Sequence, residues 1–132
     1  MVCQPKASRE IAAVLGVNAV VSKTTWVDHL YSCDYRYRTG SMVLSVKEVS
    51  SWGQTMSYFD ALSVSLHKTE SIDNLGQGAY QVADGSVVVR KDWKVLEINV
   101  VGLPDRFGEP PTSSGEVAIA VADTILACWA GD

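Results

Sequence analysis

Leu75-Gly76-Gln77-Gly78-Ala79-Tyr80-Gln81-Val82-Ala83-Asp84-Gly85-Ser86-Val87-Val88-Val89-Arg90-Lys91-Asp92-Trp93-Lys94-Val95-Leu96-Glu97-Ile98-Asn99-Val100-Val101 reads as three short strands joined by tight turns. The Asp84-Gly85 pair is a strong local hairpin signal, because a type I′ loop needs positive φ at both central residues. A second reversal is expected at Lys91-Asp92. Beyond it Leu96, Ile98 and Val100 alternate with Glu97 and Asn99, the pattern of a strand with one apolar and one largely polar face.

Upstream, Ser51 followed by Gln54 forms a capping box. Trp52, Met56, Phe59, Leu62 and Leu66 then recur at steps of three and four, which predicts a helix from about Trp52 to His67. Before it, Tyr31, Cys33, Tyr35 and Tyr37 alternate with Ser32, Asp34, Arg36 and Arg38, a strand over His29 to Arg38. Thr39-Gly40 turns it into an aliphatic strand over Ser41 to Val49 that should pair antiparallel with it. A brief strand over Thr24 to Val27 carries Trp26. Nearer the start, Pro5 suits a first helical turn and Gly16 a C-terminal cap, with Ala7, Ile11, Val14 and Leu15 on one face.

Downstream, Gly102 to Pro111 holds prolines and glycines and reads as a long exposed loop without regular structure. Ser113 and Glu116 form a second capping box, and Val117, Ala120, Val121, Thr124, Ile125 and Cys128 trace the buried stripe of a closing helix near Glu116 to Trp129. Lys68 to Asn74 reads as a polar connection. The expectation is one α+β domain over residues 1–132. Its antiparallel sheet of five to six strands is covered mainly on one face by three helices, in the order α-β-β-α-β-β-β-α.

The chain has 132 residues, a net charge of −4 and no basic run, which argues against a nucleic-acid or anionic-membrane footprint. No apolar run is long enough to cross a bilayer, and the start lacks the basic-then-apolar pattern of a signal peptide. Met1 followed almost at once by Cys3 is equally compatible with a chain that begins after a removed leader.

Catalytic signatures are sparse. Asp28 and His29 are sequence neighbours whose side chains on a strand would point to opposite faces, and His67 falls at a helix end. No nucleophile elbow occurs, and Gly76-x-Gly78 leads into a strand, so it lacks the helix N-terminus a dinucleotide site needs. Glu48, Asp60, Glu70, Asp73 and Asp84 are scattered, and only a spatial pairing would make them an acid-base couple. Neither a cofactor nor a metal is expected. The aromatic residues are more suggestive, and Tyr35, Tyr37 and Trp93 are the candidate ligand-binding residues.

Five stretches, Tyr31-Ser32-Cys33-Asp34-Tyr35, Met42-Val43-Leu44-Ser45-Val46-Lys47-Glu48, Leu75-Gly76-Gln77-Gly78-Ala79-Tyr80, Asp84-Gly85-Ser86-Val87-Val88-Val89 and Cys128-Trp129, together resemble small actinobacterial extracytoplasmic proteins, often lipoproteins of unassigned function. More distantly the chain is similar to the extracellular sensor domain of a mycobacterial Ser/Thr kinase. The resemblance implies an exported binding or sensing module with paired cysteines, in an extracytoplasmic or secreted location; a cytoplasmic one is the alternative.

The expected function is therefore a non-catalytic extracytoplasmic module for a small apolar ligand or a partner protein. The alternative is a small enzyme whose site is assembled from dispersed carboxylates or His29. Among Cys3, Cys33 and Cys128, a Cys33 to Cys128 bridge is favoured, because both fall on apolar faces; Cys3 to Cys33 would instead tie the first helix to the sheet.

Overall fold

The computed structural model describes residues 4–131, with side chains described for 4–20 and 23–129. Helix α1 (Pro5–Leu15) leads into three strands, β1 (Val21–Val27), β2 (Leu30–Tyr37) and β3 (Gly40–Glu48), followed by helix α2 (Trp52–Ser65). Four more strands come next, β4 (Lys68–Ser71), β5 (Gly78–Val82), β6 (Val87–Lys91) and β7 (Lys94–Asn99). The short strands β8 (Arg106–Phe107) and β9 (Thr112–Ser113) precede helix α3 (Ser114–Gly131). The long strands form one seven-stranded antiparallel sheet in the order β1-β2-β3-β7-β6-β5-β4.

The α+β class and the antiparallel pairing agree with the sequence reading, and the strand count is larger. Lys68 to Asn74 was expected to be a connection, but its first four residues form the outermost strand β4. They are exposed throughout, so no alternation of apolar and polar residues marks them. The loop expected between Gly102 and Pro111 contains β8, whose Arg106 and Phe107 pair with Ser113 and Thr112.

Strand register sets the faces of the sheet. Cys33, Leu44, Ile98 and Val87 lie opposite one another in successive strands, and Tyr31, Val46, Leu96 and Val89 form the next row on the same side. Helices α1 and α3 cover this face, bringing Ala7, Ile11, Leu15, Val117, Val121 and Ile125 into the main core. On the opposite face Tyr80, Val82, Val88 and Val95 receive Phe59 of α2 in a second, smaller core. The expectation that all three helices lie mainly on one face is thus corrected. The aliphatic run Val87-Val88-Val89 is buried on both sides, as a strand between two helical layers must be.

The hairpin turns also differ from expectation. Asp84-Gly85 is not a type I′ pair: only Gly85 has positive φ, at 93°. The Gly85 N–H donates to Val82 O and the Val82 N–H to Ser86 O, a three-residue loop of a type I turn with a glycine bulge. The positive-φ pairs stand at Asp28-His29 (52° and 61°) and Asp92-Trp93 (50° and 62°), so the second reversal lies one residue beyond Lys91-Asp92. Aspartate tolerates the left-handed region, whereas histidine and tryptophan give no turn signal of their own.

Cys128 is a buried free thiol, which overturns the favoured Cys33 to Cys128 bridge. Its helix packs over β6 and β7, whereas Cys33 lies on β2, two strands from β7. Cys33 is fully buried and is not a free thiol. Cys3 lies outside the described residues.

Candidate functional site

Helix α1 begins with Pro5 in its first turn and ends at Gly16, whose φ of 72° places it in the left-handed region. A Cβ there would meet the Glu109 carbonyl oxygen at 2.1 Å, so glycine is required by contact as well as by conformation. The Glu109 N–H donates to Leu15 O at 2.8 Å, which ties the helix end to the long loop. The chain then returns along Val17, Asn18 and Ala19 to the edge of β2.

This path leaves a recess between α1 and the sheet. Ser8, Arg9, Ile11, Ala12, Val17, Asn18, Ala19, Tyr35 and Tyr37 line an inner hollow of about 180 Å³. It adjoins an outer depression of about 420 Å³ that shares Arg9, Ala12, Val17 and Asn18 and adds Ala13 and Gly16. Two of the three residues expected to bind ligand, Tyr35 and Tyr37, are therefore together. They are two apart on β2, so their side chains emerge on the same face.

The two phenols are held differently. Tyr35 is fully buried with its hydroxyl 3.4 Å from Ser8 Oγ; burial raises its pKa, partly offset by that hydrogen bond. Tyr37 is half-buried and packs edge-on to Phe107 of β8, ring centroids 4.8 Å apart. Burial, and then the proximity of Tyr35, push the Tyr37 phenol up to about 12, so it stays a neutral hydrogen-bonding group at ordinary pH. Apolar walls from Ile11, Ala12, Val17 and Ala19, neutral phenols on the floor and the Arg9 cation at the rim suit a compact apolar molecule with a polar end.

The third candidate, Trp93, is not at this site. Tyr37 pairs with Gly40 at one end of the sheet, whereas Lys94 pairs with Glu48 at the other. Eight residues of β3 separate the two ends, roughly 26 Å. Trp93 stands instead near an open groove of about 940 Å³ lined by His29, Lys47, Glu48, Val49, Ser50, Gly53, Gln54, Ser57 and Tyr58. The Val49 N–H donates to the Trp93 carbonyl at 3.0 Å. His29 lies in the hairpin turn with its ring edge-on to Trp26 at 5.6 Å, and among the described residues no carboxylate pairs with it.

One carboxylate that the sequence did not single out, Glu97, has a raised pKa. It lies in a cross-strand row with Ser32, Ser45 and Val88 on the α2 side of the sheet, and burial, followed by Asp84, raises it. Alternation within one strand placed Glu97 on a polar outer face, and only the position of α2 buries it. The recess walls were equally hidden: Ile11 reads as core, while Ser8, Arg9 and Val17 carry no motif. Among the described residues no cluster of three or more His, Cys, Asp or Glu side chains is placed to hold a metal ion. No described helix is long and apolar enough to cross a membrane.

No family model, curated protein or solved structure matches the chain.

Proposed function

We propose that this chain is a non-catalytic, extracytoplasmic binding or sensing module whose ligand is a small, largely apolar molecule held between α1 and β2. The observation that carries this reading is the recess in which Tyr35 and Tyr37 meet Ile11, Ala12, Val17 and Ala19. Its inner volume of about 180 Å³ lies below the roughly 300 Å³ of a drug-sized pocket, so the molecule is compact or leaves one end in the outer depression. The exported location and the likeness to actinobacterial lipoprotein-type domains belong to the same proposal. So does a Cys3 to Cys33 disulfide, which fits a Cys33 that is not free and a Cys128 that is. Non-reducing peptide mapping is expected to recover a Cys3-Cys33 linked pair and an alkylatable Cys128.

Native mass spectrometry of protein purified from its source, without a denaturing step, tests the ligand. The expected spectrum of the unsubstituted protein shows a retained small molecule, absent from Ala12→Trp, whose indole fills the recess wall. A source-purified protein that carries no extra mass, or an Ala12→Trp variant that retains the same molecule, would overturn the assignment.

A further inference from the structure

Three of the four tryptophans are substantially exposed: Trp26 by 46%, Trp52 by 64% and Trp93 by 53%, with Val27 beside Trp26 at 64%. They come from separate parts of the chain, yet the register collects them at one end of the sheet. Val27 pairs with Leu30 and Leu30 with Lys47, while Glu48 pairs with Lys94. Trp26 thus precedes the β1-β2 reversal, Trp93 lies in the β6-β7 reversal, and Trp52 opens α2 just after β3. From β1 to β6 this end spans four strand spacings, roughly 19 Å.

The Trp26 ring, and the backbone on which Trp93 and Trp52 stand, are held by neighbouring structure. Trp26 stacks on Tyr31 with centroids 3.9 Å apart. The Trp93 turn is braced by Gln77, whose Nε2 donates to Asp92 Oδ1 at 2.9 Å and whose Oε1 accepts from the Asp92 N–H at 3.1 Å. Trp52 follows the Ser51 cap, where the Gln54 N–H donates to Ser51 Oγ and the Ser50 N–H to Gln54 Oε1. Exposed apolar side chains on held backbone, gathered at one end of the sheet, mark an interaction site.

From these observations we infer that this end of the molecule docks on a lipid bilayer, with Trp26, Trp52 and Trp93 at headgroup depth. Indoles combine an apolar body with an N–H donor and concentrate at that level of a membrane. The charges between them favour lipid over protein. Lys91 and Lys94 flank the Asp92-Trp93 turn, whereas the Lys47 ammonium donates to the Asp28 carbonyl at 2.6 Å; Asp28, Glu48 and Asp92 offset the three lysines, so this end is locally neutral in a chain of net charge −4. Charged residues are depleted from the core of a protein-protein interface, whereas lysines beside an apolar anchor extend to lipid phosphates. The attachment is peripheral and reversible, made by apolar insertion with phosphate contacts and without a spanning segment.

The test is sedimentation of the purified protein with vesicles of phosphatidylcholine, and with vesicles of an equal mixture of phosphatidylcholine and phosphatidylglycerol. Tryptophan emission is followed with lipids carrying a quencher near the headgroup or deep in the chain region. The expected result is binding to phosphatidylcholine vesicles, weaker binding to the anionic mixture in keeping with the net charge of −4, a blue-shifted emission and stronger quenching by the shallow label. Trp52→Ala and Trp93→Ala should each weaken partitioning roughly four- to tenfold, the loss of about half an aromatic side chain's burial. Trp129→Phe should leave partitioning unchanged. Lipid quenching of the unsubstituted protein needs no variant to fold. Absence of sedimentation with both vesicle types, or binding that Trp52→Ala and Trp93→Ala leave unchanged, overturns the inference. A concentration-dependent dimer abolished by the same substitutions, without vesicle binding, assigns the indoles to a second copy and overturns it equally.

Discussion

Replacing Phe59 by alanine isolates what holds α2 to the sheet. Only Thr55 and Phe59 are buried on this helix, and the Thr55 hydroxyl is already used by the Ser51 carbonyl at 2.8 Å. The Phe59 ring lies 4.7 Å from that of Tyr80 and under the Arg90 guanidinium at 5.8 Å, and the Tyr80 hydroxyl donates to Phe59 O at 2.6 Å. Phe→Ala substitutions in cores cost about 3 to 5 kcal/mol. Phe59 sits at the rim of a small cluster, so the lower end applies, about 3 kcal/mol, or roughly a hundredfold in an opening equilibrium. Helix α1, α3 and the face they cover make no use of Phe59, so the loss should appear as local undocking of α2. Amide hydrogen exchange in Phe59→Ala should accelerate roughly a hundredfold in α2 while Leu44, Leu96 and Ile98 change little. Equal acceleration in both regions would refute the separation into two cores, and unchanged exchange in α2 would refute the anchoring role of Phe59.

Glu97 is expected to make stability fall with pH. Its folded pKa is raised, so as pH climbs from about 4 the unfolded chain ionises first and stability is lost until the folded carboxyl also ionises. Glu97→Gln should remove that decline in urea midpoints measured from about pH 4 to neutrality; a variant that tracks the unsubstituted protein contradicts it. Tyr37 should ionise near 12 in a spectrophotometric titration, and its raised value adds stability below the ordinary tyrosine range that is lost as pH rises toward 12. Tyr37→Phe should delete that late step. Gly16→Ala should cost about 1 to 2 kcal/mol from the left-handed conformation alone, with the Glu109 carbonyl contact adding to it, measured as a loss in thermal or urea stability.

The helices and central strands were legible because each has a strong local signal. The Ser51-Gln54 box starts α2, the Ser113 hydroxyl accepts from the Glu116 N–H at the start of α3, and alternation in β2 put Cys33 and Tyr35 inward. What escaped the sequence was relational. The stripe of α2 shows which side is apolar but not which face of the sheet it meets, and both faces of β6 are valine. The indoles at the sheet end are likewise separated in sequence by 26 and 41 residues, and only strand register gathers them. At the recess, the two tyrosines were legible by alternation, whereas Arg9 and Val17 become walls only because Gly16 turns the chain back over β2.

A crystal structure of protein isolated from its source, without unfolding or added ligand, tests the recess most directly. The account predicts continuous density for a bound molecule against Ile11, Ala12 and Val17, with a polar atom within hydrogen-bond distance of the Tyr37 hydroxyl. A recess closed by Tyr37 and Val17 in direct contact, or holding only separate water molecules, would contradict it.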